Sequence, residues 1–301
     1  MKFSPNIIHK ILFGIFCLST LFSCNSQQLR SVDFTPENGF TNGIEGPAVD
    51  FAGNLYAVNF AEQGTIGKVD SNGKGEIYVR LPDASIGNGI RFDQKGDMYI
   101  ADYVGHNVYQ IKKGTKQPIV WAHNPKMSQP NDLAIAPNGT IYLSDPNWAE
   151  SSGRIWMVNR KREIILLEEN MGTTNGIEVS PDGKKLYVNE SVQRTIWQYD
   201  IQADGGVSNK SKFANFDDFG MDGMRCDAEG NLYVTRYEKG TVVVLSPAGQ
   251  PLNEIQLKGK KPSNITFGGT DGKTCFVTLA DRGCVETFRA KNPGAFYKRI
   301  H

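Results

Sequence analysis

The sequence predicts an all-β chain, a six-bladed β-propeller whose ring is closed by an N-terminal strand completing the last blade. The first observation behind this is the segment from Thr174 to Glu190: Asn175 leads an alternating apolar run, Ser180-Pro181-Asp182-Gly183 turns the chain, and Leu186-Tyr187-Val188 resumes it. That is the pattern of a tight antiparallel hairpin. The second is repetition. Five further segments follow the same plan, headed by Glu45, Asn88, Asn131, Asp222 and Asn264, so that the six heads lie 43, 43, 44, 47 and 42 positions apart. The third is an aromatic residue restarting the second strand (Tyr56, Tyr99, Tyr142, Tyr187, Tyr233 and Phe276), always 11 or 12 positions after its head. A period in the low forties with several short strands per unit is that of a propeller blade.

Taken in order, the chain opens with residues 1–23, which read as a signal peptide. Lys2 and Lys10 precede an apolar run of 12 residues, Ile11 to Phe22, too short to span a bilayer as a mature helix. Leu21-Phe22-Ser23-Cys24 resembles a bacterial lipobox, with Cys24 the lipidated first residue of the mature protein. The expectation is export to a bacterial membrane, facing the periplasm or at the cell surface, held by lipid without a transmembrane helix. Residues 24–28 form a tether and 29–301 a single domain.

Third and fourth strands follow the hairpins, for instance Thr65 to Val69 and Glu76 to Arg80 in the first unit. The last unit stops at Lys291-Asn292-Pro293-Gly294, which does not favour another strand, so Leu29 to Phe34 is expected to fill the vacancy.

Composition narrows the partners. The full chain has 33 Lys+Arg against 32 Asp+Glu, and losing Lys2 and Lys10 leaves 31 against 32, a charge of −1. This gives no long-range attraction for nucleic acid and points to a small or neutral partner. Three cysteines remain beyond the leader and Cys24, namely Cys226, Cys275 and Cys284. Cys275 and Cys284, on neighbouring strands, could pair or stay buried as free thiols.

The first strand of each blade lines the channel, so the heads Glu45, Asn88, Asn131, Asn175, Asp222 and Asn264 face one another, and each bears a side-chain oxygen. A single Asn-Gly there would pass for a local turn. Six oxygen donors at one register, two of them carboxylates, point further. Carboxylates crowded on an axis repel unless a proton or cation compensates, and an oxygen-only set favours a hard divalent ion, Ca2+ above all, with Zn2+, Mn2+ or Mg2+ as alternatives. A second polar set (Asn59, Asp102, Asp145, Glu190, Arg236) stands three positions after the aromatics and is expected to rim the pocket, with Asp145 and Arg236 contacting substrate. His106, in a loop on the same side, is a candidate base. No GxSxG elbow, P-loop or GxGxxG fingerprint is present.

The motifs Glu45-Gly46-Pro47, Pro130-Asn131-Asp132, Thr174-Asn175-Gly176 and Met221-Asp222-Gly223, in this order and spacing, resemble those of the gluconolactonase and regucalcin (senescence marker protein) family of six-bladed lactonases. The resemblance implies that Glu45, Asn175 and Asp222 bind the catalytic divalent metal, that Asn131 binds it too or holds substrate, and that Asp222 transfers the proton. Gln129 stands where regucalcin-like members have a substrate-binding Arg, and Glu150 where they have an acidic contact; Asn88 joins these as a substrate residue. The implied reaction is Ca2+-dependent opening of a sugar or aliphatic lactone, with Asp222 and Glu45 catalytic. The alternatives are a surface binding propeller with a structural calcium, and an arylesterase or phosphotriester hydrolase.

Overall fold

The computed structural model describes residues 1–2 and 30–300, with side chains assigned up to residue 297. The leader, the lipobox with Cys24 and the tether lie outside the described residues. The rest forms six four-stranded antiparallel sheets around one axis, with inner strands Phe40–Val49, Gly87–Phe92, Leu133–Ile135, Thr174–Val179, Met224–Cys226 and Pro262–Gly268. Blades four and five also have fourth strands, Val207–Asn215 and Pro251–Gln256.

The repeating aromatics explain why the blades stack. Each is buried, and several reach across to a neighbouring blade: Tyr56 meets Phe92 edge-on with ring centroids 5.5 Å apart, Tyr233 meets Phe267 at 5.0 Å, and Tyr142 Oη donates to Gly205 O at 2.8 Å. Six apolar clusters result, one at each blade interface, including that between the last blade and the first. The ring is therefore held by side-chain burial between sheets, the dominant favourable term in folding.

Closure follows the sequence expectation. Val32–Asp33 is the outermost strand of the sixth blade, pairing antiparallel with Cys284–Arg289 through Val32↔Thr287 and Asp33↔Glu286. Phe34 packs edge-on against Phe276 at 4.9 Å, and Arg282 bridges Asp33 and Glu37. The expected alternative pairing of Cys275 with Cys284 does not occur. Cys275 lies opposite Phe288 and Cys284 opposite Leu279, at different levels of the same ladder, and both are buried free thiols; Cys226 is buried too, outside any disulfide. Burial pushes both the Cys275 and Cys284 thiols up, leaving them unreactive.

Past Lys291 the chain does not add a strand. It turns inward, with Ala228 N donating to Pro293 O at 2.8 Å, and forms the short helix Ala295–Ile300. Its first residues, with Phe296, cover the far end of the channel, over a chamber lined by inner-strand residues that include Phe92, Arg225 and Phe267. The other end is where the six heads stand.

Candidate functional site

Glycine lets the heads converge. A Cβ on Gly46 would lie 2.0 Å from Asn88 O, and one on Gly223 would lie 2.0 Å from the Asn264 side chain. Only a bare backbone fits where neighbouring inner strands meet, and Gly46 also takes φ +59°, which favours glycine. Gly89 and Gly176 meet Asp132 and the Asp222 carbonyl in the same way. The head-Gly pairs are thus packing devices at the axis.

The chemistry of the heads lies in what they leave unbonded. Glu45 is buried; its Oε2 accepts from Gly46 N and from Asn264 Nδ2 at 2.8 Å, while Oε1 has no partner. Asn131 Oδ1 and Asn175 Oδ1 are likewise buried without a partner. Asp222 lies close enough to Asn175 and Glu45 for both to act on its proton affinity. An orphaned buried acceptor costs about 1–3 kcal/mol, and native proteins hold few of them. Three at the heads of three inner strands, with the Asp222 carboxyl coupled to Glu45 nearby, are oxygens of the kind that could hold a hard cation. Among the described residues no group of three or more His, Cys, Asp or Glu is arranged to hold a metal ion by itself, so a cation here would need the amide oxygens as well.

Electrostatics agree. Burial, and then the Asp132 charge, push the Glu45 carboxyl up to about 7. Burial, and then Glu45, hold the Asp222 carboxyl well above the usual carboxylate range. Neither carboxylate ionises readily beside the other without positive charge.

A second layer lies beneath the first. Asp132, fully buried, receives Arg91 Nη1 at 2.9 Å and Asn264 Nδ2 at 3.3 Å and stands 3.7 Å from Arg225 Nη1, while Glu178 faces Arg91 at 3.8 Å and Arg225 at 3.9 Å. Burial, and then the charge of Arg91, pull the Arg225 guanidinium down to about 10. Four carboxylates on the axis (Glu45, Asp132, Glu178, Asp222) against two guanidinium groups leave two negative charges when all are ionised. Sequence reasoning passed over this layer, although Arg91, Glu178 and Arg225 each stand three positions after a head, a register that signals charge inside a buried strand. It also passed over Asn189, whose Nδ2 donates to Asp222 O at 2.6 Å while its buried Oδ1 is free.

Other expected contacts take different roles. Asn88 stays at the site, its Nδ2 donating to Asn131 O at 3.2 Å. Asp145 and Arg236, expected to touch substrate, are buried braces of the scaffold. Asp145 accepts from Ser128 N at 2.7 Å, Gln129 N at 2.6 Å and Trp156 Nε1 at 2.8 Å, and its pKa is raised by burial. Arg236 Nη2 donates to Asp218 O at 2.6 Å, and its guanidinium lies 3.7 Å from the centre of the Phe216 ring. Asp102 and Glu190 brace loops in the same way. Gln129 Nε2 is held by Tyr103 Oη at 2.8 Å, and Glu150 is exposed in the hairpin turn after Asn147. His106 sits at φ +57° in a turn where its carbonyl accepts from Asn124 N.

The chain is 28% identical over 218 residues to the gluconolactonase of Zymomonas mobilis, a match covering 64% of this chain and 60% of that protein. It is 27% identical to the diisopropyl-fluorophosphatase of Loligo vulgaris, covering 84% and 90%. A solved structure of a calcium-binding regucalcin from Agrobacterium tumefaciens superposes with a TM-score of 0.71 at 19% identity, covering 87% of this chain and 98% of that one, a likeness of fold. Residues 43–281 match the profile of the SMP-30/gluconolactonase/LRE-like region, and the chain belongs to that family.

Proposed function

We propose that this protein is a divalent-cation-dependent, most plainly Ca2+-dependent, hydrolase that opens lactones. The observation that carries this reading is the set of orphaned buried oxygens on Glu45, Asn131 and Asn175, grouped with Asp222 at the channel end that α-helical cover does not reach. The gluconolactonase and the calcium-binding regucalcin among its relatives support both halves of the proposal.

Glu45 Oε1, Asn131 Oδ1, Asn175 Oδ1 and the Asp222 carboxylate would hold the ion, which when bound supplies Lewis-acid polarisation of an ester carbonyl. The chain's own residues do the rest. Asn264 fixes Glu45 Oε2, so that Oε1 is left facing the shared centre. Asp222 retains partial exposure to the channel and is the group placed to accept a proton from water adding to the carbonyl, then to return it to the departing alkoxide. Asn88, beside Asn131, is available to orient the ring. Water addition needs no covalent intermediate, in keeping with the absence of a nucleophile elbow.

The direct test is a pH-stat assay on gluconolactone and unsubstituted aliphatic lactones with and without chelator. Turnover that chelator abolishes and calcium restores, and that falls by about 10²- to 10⁴-fold in Asp222→Asn, is expected; equal rates under all conditions would remove the enzyme reading. Asn264→Ala should weaken calcium binding by about 10- to 100-fold in isothermal calorimetry, as losses of a ligand's supporting hydrogen bond generally do.

The raised carboxyls set a sign for pH. A carboxyl raised in the fold binds more protons there than in the unfolded chain, so the cation-free protein should lose stability as pH rises from the ordinary carboxylate range towards about 7. A cation displaces those protons, so its affinity should rise over the same interval and then level, with proton release seen as a buffer-dependent binding enthalpy near pH 6. An affinity independent of pH would contradict the assignment of Glu45. Export with lipid on Cys24 remains part of the proposal; intact mass of the mature protein should show a diacylglyceryl-modified N-terminal cysteine.

A further inference from the structure

Apolar side chains are distributed unevenly over the ring. Among the described residues, the large exposed ones outside the N-terminal Met1 divide into two groups. Val32, Ile119, Val120, Ile165, Leu166 and Leu252 lie on outermost strands. Val104, Trp148, Val192 and Phe219, exposed by 47%, 40%, 54% and 46%, all lie in loops at the end of the ring that holds the candidate site. They belong to blades two, three and four and to the connection leading to Asp222, so they form one arc. The arc's loops also expose Glu150, Asp217 and Asp218, but among the described residues the corresponding loops of blades one, five and six, which expose Glu62, Glu238 and Asp281, carry no exposed large apolar side chain.

Hydrogen bonds tie the loops of this arc into a continuous belt. Asn124 N donates to His106 O at 3.3 Å, and Arg154 Nη1 to Lys126 O at 2.7 Å. Gln193 Nε2 donates to Ser151 O at 3.1 Å, and Arg194 Nη1 to Asp217 O at 2.5 Å. The buried Arg236 then clamps the last loop through Asp218, and Phe219 is held outward at φ +40°, a conformation aromatic residues seldom adopt. In blade three the hairpin strands Ile141–Asn147 and Ser152–Val158 pair up to Asn147↔Ser152, and Trp148 stands on the turn that joins them. Buried braces that keep exposed apolar side chains standing are an unusual use of structure unless those side chains meet something.

We propose that this arc binds an apolar chain on the substrate, so that the preferred lactone carries an alkyl or aryl substituent and is not a polyhydroxylated sugar ring. The inference rests on the lactonase reading. The ring carbonyl would face the oxygens of Glu45, Asn131, Asn175 and Asp222 while the substituent runs outward across Trp148 and Phe219. The loops of blades one, five and six, which expose no large apolar side chain among the described residues, would offer the chain nothing to cover, giving it one direction.

The test compares δ-valerolactone with its hexyl-substituted homologue on the wild type and on the double variant Trp148→Ser/Phe219→Ser. The substituent should raise kcat/KM at least about tenfold in the wild type, and the ratio of the two values should fall by about the same factor in the variant. A ratio near one in the wild type, or an unchanged ratio in the variant, would overturn the proposal. A binding arm separates this from failure of the lactonase reading: the two corresponding lactams, which the enzyme cannot open, are titrated by calorimetry. If no lactone is hydrolysed but the hexyl lactam binds more tightly in a manner lost in the variant, the reaction assignment falls and the apolar subsite stands. If the wild type, but not the variant, sediments with phosphatidylcholine vesicles while the lactam preference is absent, the arc is a membrane face and the proposal fails.

Discussion

The site depends on one constraint, the crowding of like charge on a narrow axis in low dielectric. Glu45 and Asp222 face each other across blades, with Asp132 and Glu178 one layer below. Two carboxylates about 4 Å apart repel strongly where water cannot screen them. The lower layer resolves its share within the protein, since Arg91 and Arg225 lie between Asp132 and Glu178. The upper layer has no guanidinium of its own. Its compensation must come from protons, which burial and the neighbouring charge lead Glu45 and Asp222 to hold to higher pH than ordinary carboxyls, or from a cation. A protein stable in either state could exchange one for the other, which is why the upper layer is the proposed binding site while the lower one is a scaffold.

Geometry around that axis separates the two functions of the polar residues. Unpartnered buried oxygens gather at the inner-strand heads Glu45, Asn131 and Asn175 and on Asn189 beside Asp222, whereas Asp145 and Arg236, at the ends of second strands, spend their polar groups within the fold. Each of these two is buried and fastens a loop, the 128–129 segment in one case and the 216–220 segment in the other. They therefore fix where neighbouring loops stand. The apolar arc is the outer consequence of this bracing, and the oxygen ring is the inner one.

Much of this was legible in the sequence, because a repeat is a strong signal. Six heads at a nearly fixed interval gave the blades, and the short last unit gave the closing strand at Val32–Asp33. The heads themselves were legible as a set because repetition placed them at one register. The roles of Asp145 and Arg236 were not, since position on a strand says which end of the ring a side chain reaches but not whether a loop will return to consume its hydrogen bonds. Three Asn residues at equivalent registers also diverge in use: Asn175 keeps a free oxygen, Asn264 spends its amide on Glu45 and Asp132, and Asn88 donates to a backbone carbonyl. Those differences arise from what other blades present, through contacts between residues 43 positions apart for Asn88 and Asn131 and 219 apart for Asn264 and Glu45.

Access to the axis from one end alone follows from the same arrangement. At the far end the chain turns at Pro293 and lays Phe296 over the channel, and the paired layer of Arg91, Asp132, Glu178 and Arg225 lies between that chamber and the heads. A charged ligand moving along the channel from that side would have to separate buried ion pairs, and breaking one such pair costs about 3–5 kcal/mol. On the proposed lactonase reading, substrate and product share the mouth ringed by the blade loops. An opened lactone bears a carboxylate that the closed ring lacks, and a cation that compensates Glu45 and Asp222 would attract it where it forms. Release of the product would then depend on water reaching that carboxylate through the open mouth, whereas the uncharged ring enters without such a hold on it.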